Sequence, residues 1–101
     1  MMRKIEGIAR LVAELPTLAM NGWIFIVERH DRETVEAIVG ATFLLADDDE
    51  EEIDMEGDFP TFLEIRMLEA VVELEGRAGR TAPWDIAAGC LYYLEKDTFR
   101  D

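Results

Sequence analysis

Residues 23–27 read Trp-Ile-Phe-Ile-Val, five consecutive apolar side chains that are mostly aromatic or β-branched. A short run of this type predicts a strand that is covered on both of its faces. Asn21-Gly22 before the run is a turn signal, and the polar segment 28–33 (ERHDRE) after it is typical of a solvated connection. The fold is therefore expected to be organised around a strand at 23–27.

Apolar character returns over residues 37–45 (AIVGATFLL), which Gly40 interrupts. We interpret this segment as a second strand, antiparallel to the first, with Gly40 at a bulge or at a close approach of the backbone. A short helix over residues 34–39, opened by Thr34, is the alternative.

Three further segments have apolar residues at spacings of three and four, which predicts helices that bury one face. Phe99, beyond the last of them, is expected to fold back onto the body of the protein. The predicted helices are residues 3–15, ended by Pro16; residues 61–75, ended in a basic turn by Gly76 and Gly79; and a last helix that Thr81 caps, with Pro83 in its first turn, running to Glu95.

This order predicts an α+β fold, in which a small antiparallel sheet of two to three strands packs with three helices in the order α-β-β-α-α. A length of 101 residues is typical of a single domain, so residues 1–101 are expected to form one. Because two strands alone are marginally stable, the helices must supply most of the core.

Charge is distributed unevenly along the chain. The sequence has 23 acidic and 10 basic residues, for a net charge of −13, and residues 47–58 (DDDEEEIDMEGD) hold nine of the acids and no base. The rest of the chain has a net charge of −4, so the acidity is largely one local feature. A direct nucleic-acid ligand is disfavoured, because phosphate binding requires clustered Lys and Arg.

Cysteine usage and hydropathy indicate the compartment. Cys90 is the one cysteine, so the chain has no internal disulfide and no cysteine set for zinc. No apolar run approaches the roughly 18 residues of a membrane span, and residues 1–6 do not read as a signal peptide. The sequence predicts a protein of the reducing cytoplasm that does not contact a membrane.

Catalytic and metal sites are not predicted. His30 lies in a polar segment, serine is absent from the chain, and Cys90 lies on the predicted core face of the last helix. The acidic stretch superficially resembles a calcium loop, but a register that starts at Asp47 puts Glu52 where glycine is needed, and one that starts at Asp49 puts Ile53 at a ligand position. We therefore expect no enzyme activity, no cofactor and no bound metal ion.

The acidic stretch has two interpretations. It can be a solvated, disordered loop that aids solubility, as many charge runs are. It can instead be a docking surface for a cationic partner, because positive charge on a partner would relieve the mutual repulsion of its carboxylates. On the second interpretation, the partner-binding residues are Asp47, Asp48, Asp49, Glu50, Glu51, Glu52, Ile53, Asp54, Met55, Glu56, Asp58 and Phe59, with Ile53, Met55 and Phe59 as apolar anchors.

The closing segment Ala87–Phe99 (AAGCLYYLEKDTF) has paired tyrosines followed by Glu, Asp and Phe. Together with the chain length and an acidic run after a short sheet segment, it resembles the small acidic immunity proteins of bacterial contact-dependent growth inhibition and related polymorphic toxin systems. The resemblance implies that the chain neutralises one cognate toxin domain, in a heterodimer, in the cytoplasm of the producing cell. Many such toxins are nucleases with cationic clefts. No functional residue is carried over by motif.

Three functions follow as hypotheses. The first is an immunity protein, an antitoxin that binds a cationic nuclease toxin through residues 47–59. The second is a nucleic-acid mimic that inhibits a DNA- or RNA-binding protein, which requires carboxylates spaced over a rigid surface. The third is a small enzyme, which requires a formed pocket with a perturbed titrating group.

Overall fold

The sheet is organised around β2 (Trp23–Ile26), the strand predicted from the apolar run at 23–27. The structure, a computed structural model, describes residues 1–19 and 21–100. Within those residues the sheet has four strands, all paired antiparallel, in the order β1-β3-β2-β4. The other strands are β1 (Arg3–Glu6), β3 (Thr42–Leu45) and β4 (Thr61–Glu64).

Both faces of β2 are covered at Ile24, Phe25 and Ile26, as its sequence predicts, whereas Trp23 at its beginning and Val27 just after it are exposed. Ile24 and Ile26 are buried in the larger hydrophobic cluster, and Phe25 is buried in a smaller one with Leu44 and Met55. This division follows from the alternation of side chains along a strand. The helices that contribute to the larger cluster are α1 (Ile8–Glu14), α2 (Val35–Gly40), α4 (Ile65–Arg77) and α5 (Pro83–Lys96), and α3 (Asp49–Asp58) contributes to the smaller one. Short 3-10 turns occupy Leu15–Thr17 and Arg29–Arg32.

The predicted first helix over residues 3–15 is wrong at its beginning. Residues 3–6 form β1, in which Ile5 lies opposite Phe43 of β3. Gly7 then adopts a φ of 85°, which glycine reaches without strain, and α1 begins at Ile8. The apolar spacing did identify buried residues, since both Ile5 and Ile8 are in the core, but Ile5 reaches it from a strand.

The predicted second strand over 37–45 is also partly wrong, and the alternative helix is confirmed. Thr34 caps α2 by accepting a hydrogen bond from the Ala37 backbone N–H at 3.0 Å. Gly40 is the last residue of that helix and not a bulge; among the described residues no atom lies within 4 Å of where its Cβ would be. Only Thr42–Leu45 form a strand, and its antiparallel pairing with β2 is confirmed.

The helix predicted over residues 61–75 is observed as α4, which begins four residues later and ends two residues later than predicted. Residues 61–64 form β4, which pairs with β2, so Phe62 enters the core from the sheet. Gly79, with a φ of 79°, lies just beyond α4, where Arg80 N–H donates to the Glu75 carbonyl at 2.8 Å. Gly79 thus closes the helix end, as predicted, whereas Gly76 lies within α4 and does not end it.

The last helix is the most accurately predicted element. Pro83 is its first residue, as expected, although Ala82 and not Thr81 occupies the position before it. Cys90 is buried on its core face, and Asp97 ends it with a φ of 59°. The chain then turns back, and the Phe99 ring packs on Tyr93 at a centroid distance of 5.0 Å, which confirms the predicted return of Phe99.

The architecture is therefore α+β, as predicted, but with a larger sheet and a different order. In the described part of the chain the order is β-α-β-α-β-α-β-α-α, with four strands and five α-helices in place of two to three strands and three helices. No helix within residues 1–19 and 21–100 is long and apolar enough to cross a membrane.

Candidate functional site

The acidic stretch is a helix, α3, and the interpretation of it as a loop is wrong. Asp48 caps α3 by accepting a hydrogen bond from the Glu51 backbone N–H at 2.8 Å. The first turn, residues 49–52, is entirely acidic and lies at the positive end of the helix dipole, where negative charge is stabilising. Local capping and the dipole thus offset the repulsion between neighbouring carboxylates.

The inner face of α3 is held on the sheet. The Met55 side chain is 4% exposed and packs with Phe25 and Leu44, and Phe59 packs at the edge of the same cluster. Glu52 Oε1 accepts a hydrogen bond from the Trp23 backbone N–H at 2.6 Å. Met55, which the sequence offered as an apolar anchor for a partner, is therefore part of the core and out of a partner's reach.

The carboxylates before and within the first turn also make internal contacts. Glu51 Oε1 accepts a hydrogen bond from the Asp47 backbone N–H at 2.9 Å. The α-amino group of Met1 lies 2.5 Å from Asp47 Oδ2 and 3.3 Å from Glu51 Oε2. Asp47, Asp48, Glu51 and Glu52 thus contribute to holding the helix in place, in addition to the charge that they present.

The remaining predicted residues of the stretch point outward. We call these the outer acidic face: Asp49, Glu50, Ile53, Asp54, Glu56 and Asp58. In the described part of the chain, no Lys or Arg nitrogen lies within 4.0 Å of any of these carboxylates. Glu50, Asp54 and Asp58 follow one another at spacings of four, which makes them neighbours along the helix surface.

Ile53 lies in the middle of the outer acidic face and is 68% exposed. Its helical neighbours at spacings of three and four are Asp49, Glu50, Glu56 and Gly57. Among the described residues no atom lies within 4 Å of the position of a Gly57 Cβ, so the surface next to Ile53 is open. An apolar side chain surrounded by charge has the composition of an interface centre with a polar rim.

The residues considered for catalysis have structural or solvated positions. The Cys90 thiol is fully buried, and desolvation together with the nearby charge of Glu75 raises its pKa, which leaves it as an unreactive thiol. The exposed His30 ring lies beside two acids, Glu28 at 3.1 Å and Asp31 at 3.5 Å. Within the described residues, no group of three or more His, Cys, Asp or Glu side chains is placed to hold a metal ion.

One buried charged cluster was not predicted from the sequence. The Glu75 side chain is 3% exposed and accepts hydrogen bonds from Arg80 Nε at 2.6 Å, Arg100 Nη2 at 2.7 Å and Arg100 Nε at 2.9 Å. Hydrogen bonding to Arg100 and Arg80 outweighs desolvation and lowers the pKa of Glu75 from 4.5 to about 2. The cluster ties the α4–α5 turn and the returning tail to α4.

A sequence signal for this cluster existed. Glu75 lies four residues after Val71 and seven after Leu68, so it continues the buried stripe of α4. An acid on such a stripe requires cationic partners, since burying an unpaired charge is costly. Arg80 and Arg100 were available in the sequence, but their convergence on Glu75 depends on the turn and on the returning tail.

The chain matches no family model, no curated protein and no solved structure. The functional argument therefore depends on the geometry and charge of the molecule itself.

Proposed function

We propose that the chain is an immunity protein of a bacterial polymorphic toxin system, which binds and neutralises a cognate toxin domain in the cytoplasm of the producing cell. The observation that supports this proposal is the outer acidic face of α3, which carries five carboxylates around the exposed Ile53. A nuclease toxin has a cationic cleft for its substrate, and a rigid acidic helix complements such a surface. On this proposal the chain acts by binding and not by catalysis.

The two chemical components of this face have different roles. The carboxylates attract a basic partner over a distance and raise the association rate, toward about 10⁸ M⁻¹s⁻¹ at low salt. Ile53 supplies contact, because burying an exposed aliphatic side chain contributes about 1.5–3 kcal/mol. The proposal therefore assigns fast association to the acids and slow dissociation to Ile53.

The proposal implies that a toxin domain is encoded near the gene for this chain, and the test uses that domain. Stopped-flow association is measured over a range of salt concentrations for the wild type and for the triple variant Asp49→Asn, Glu50→Gln, Asp54→Asn. The triple variant is expected to associate about tenfold more slowly at low salt and to lose most of the salt dependence. Ile53→Ala is expected to leave association unchanged and to speed dissociation about tenfold.

A matched control removes the same charge from the opposite layer of the molecule. Glu36, Glu69 and Glu95 are exposed on α2, α4 and α5, and none has an ion pair within the described residues. Changing all three to Gln is expected to slow association less than twofold. Equal slowing by both triple variants would assign the effect to net charge, and no effect of either would remove α3 from the interface.

The nucleic-acid mimic is a second candidate, and the helical state of α3 favours it more than a loop would. A ten-residue helix is about 15 Å long, so five outward carboxylates give one negative charge per about 3 Å of helix axis, similar to the roughly 3.4 Å of duplex axis per phosphate of one DNA strand. A mimic binds many nucleic-acid-binding proteins with similar affinity, whereas an immunity protein prefers one toxin. Affinities for several unrelated basic nucleases distinguish the two.

A further inference from the structure

A shallow depression lies where α3 ends over the sheet. Its apolar lining comes from Val27, Phe59 and Pro60, and its acidic lining from Glu28, Glu56 and Asp58. Val27 directly follows β2 and is 45% exposed. Apolar surface and carboxylates thus face the same open space.

Two of the carboxylates in this depression lie where the dipole of α3 does not compensate their charge. Glu56 and Asp58 lie at the negative end of the helix dipole, where a cation would be stabilised, but the last turn contains no base. Neither carboxylate has an ion pair within the described residues, whereas Glu28 contacts His30 at 3.1 Å. Arg29 also lines the depression, but the three acids of the lining outnumber this one base, so the lining has a net negative charge.

We infer that this depression receives an arginine side chain of the protein partner. The inference depends on the proposed function, because it specifies how a basic toxin would contact α3. The aliphatic stem of an arginine can cover Val27 while its planar guanidinium stacks on Phe59 and donates hydrogen bonds to Glu56 and Asp58. A lysine offers the same charge without a planar group to stack or to bind bidentately, so it is expected to bind less well.

The inference can be tested without any toxin. Amide chemical shifts of the isotope-labelled full chain are followed during titration with N-acetyl-arginine amide and, separately, with N-acetyl-lysine amide. The shifts are expected to concentrate at residues 27–29, 56–59 and 61, with about threefold tighter binding of the arginine derivative. Glu56→Gln combined with Asp58→Asn is expected to weaken arginine binding about fivefold, and Arg29→Gln to strengthen it about twofold.

The matched control is Asp49→Asn combined with Glu50→Gln, which removes two charges from the other end of α3 and is expected to change the affinity less than about twofold. Equal weakening by the two pairs, equal binding of the two derivatives, or shifts spread along all of α3 would overturn the inference. If the toxin complex forms while the arginine derivative fails to bind at this depression, only the arginine assignment is wrong. If the derivative binds there but no toxin does, the subsite stands and the proposed function is wrong.

Discussion

Glu75 and the outer acidic face of α3 differ in the burial of their carboxylates and in the cationic partners that surround them. Glu75 is buried and is matched by two guanidinium groups, Arg80 and Arg100. The acids of the outer face are exposed, are close to one another and have no cationic partner within the described residues. The comparison indicates that the fold supplies bases to the buried carboxylate and, within the described residues, supplies none to the outer acidic face.

Removing the Glu75 charge is expected to have the largest effect on stability. In Glu75→Gln, two partly buried arginines lose their common negative charge and one of its two acceptor oxygens, and breaking such a pair costs about 3–5 kcal/mol. Urea unfolding measures the loss. Glu73→Gln, on the exposed side of the same helix, is the control and is expected to change the free energy of unfolding by less than about 0.5 kcal/mol. A loss below about 1 kcal/mol in Glu75→Gln would contradict the assigned role of the cluster.

The pH dependence of stability is the next effect. The folded-state pKa of Glu75 is about 2, below its ordinary value of 4.5, so the unfolded chain binds the proton more tightly. The contribution of Glu75 is therefore fully present above about pH 5 and is lost as the pH falls toward 2, by about 3 kcal/mol in total. Between pH 2 and 6, the free energy of unfolding should change less with pH in Glu75→Gln than in the wild type. An equal pH dependence in the two proteins would be inconsistent with a depressed pKa of Glu75.

The space around Gly89, beside Glu75, is much tighter than the space around Gly57 in α3. A Cβ on Gly89 would lie 2.9 Å from both Glu75 Oε2 and Val71 Cγ1, so Gly89→Ala is expected to destabilise the protein by about 1–3 kcal/mol. At Gly57 the space is open within the described residues, and Gly57→Ala is expected to stabilise α3 by about 0.5–1 kcal/mol. Thermal unfolding of both variants measures the difference, and shifts of the same sign would contradict it.

The smallest effect concerns the two ends of α3. Asp58→Asn removes a charge from the negative end of the helix dipole and from a spacing of four to Asp54, so it is expected to stabilise the protein by about 0.5 kcal/mol. Asp49→Asn removes a charge from the positive end and is expected to destabilise by about the same amount. Chemical unfolding at low and high salt measures both changes. The critical result is that the two variants change the free energy of unfolding in opposite directions. Both changes should be smaller in high salt.

The sequence predicted burial better than it predicted secondary structure. Ile5 and Phe62 lie in segments whose apolar spacing predicted buried residues, and both are in the core, but each segment was predicted to be a helix, whereas each residue belongs to a four-residue strand that precedes one. Strands that short contain too few residues to display an alternation of their own. Their pairing with β3 and β2 is a contact between distant parts of the chain, which local periodicity does not report.

The composition of the sequence located the candidate site but did not predict its geometry. Charge density selected residues 47–59, but the repulsion among the acids suggested a loop, although Asp48 followed by four acids is a helix-start signal. Only the helix assignment separates the inward Met55 from the outward Ile53. The sequence predicted a turn after α4 and a returning tail, but no local pattern specifies that Arg80 and Arg100 converge on Glu75, because that depends on where the turn and the tail place them.

The unequal size of the two hydrophobic clusters has a consequence for local opening. α3 is attached to the sheet mainly through Phe25, Leu44 and Met55, so detaching it exposes far less apolar surface than global unfolding does. Its amide protons are expected to exchange with solvent faster than those of β2 or α5, by an opening that leaves the rest of the protein folded. A macromolecule that binds α3 would suppress that opening. Slowed deuterium uptake confined to residues 49–58 would therefore show that a partner is bound to α3.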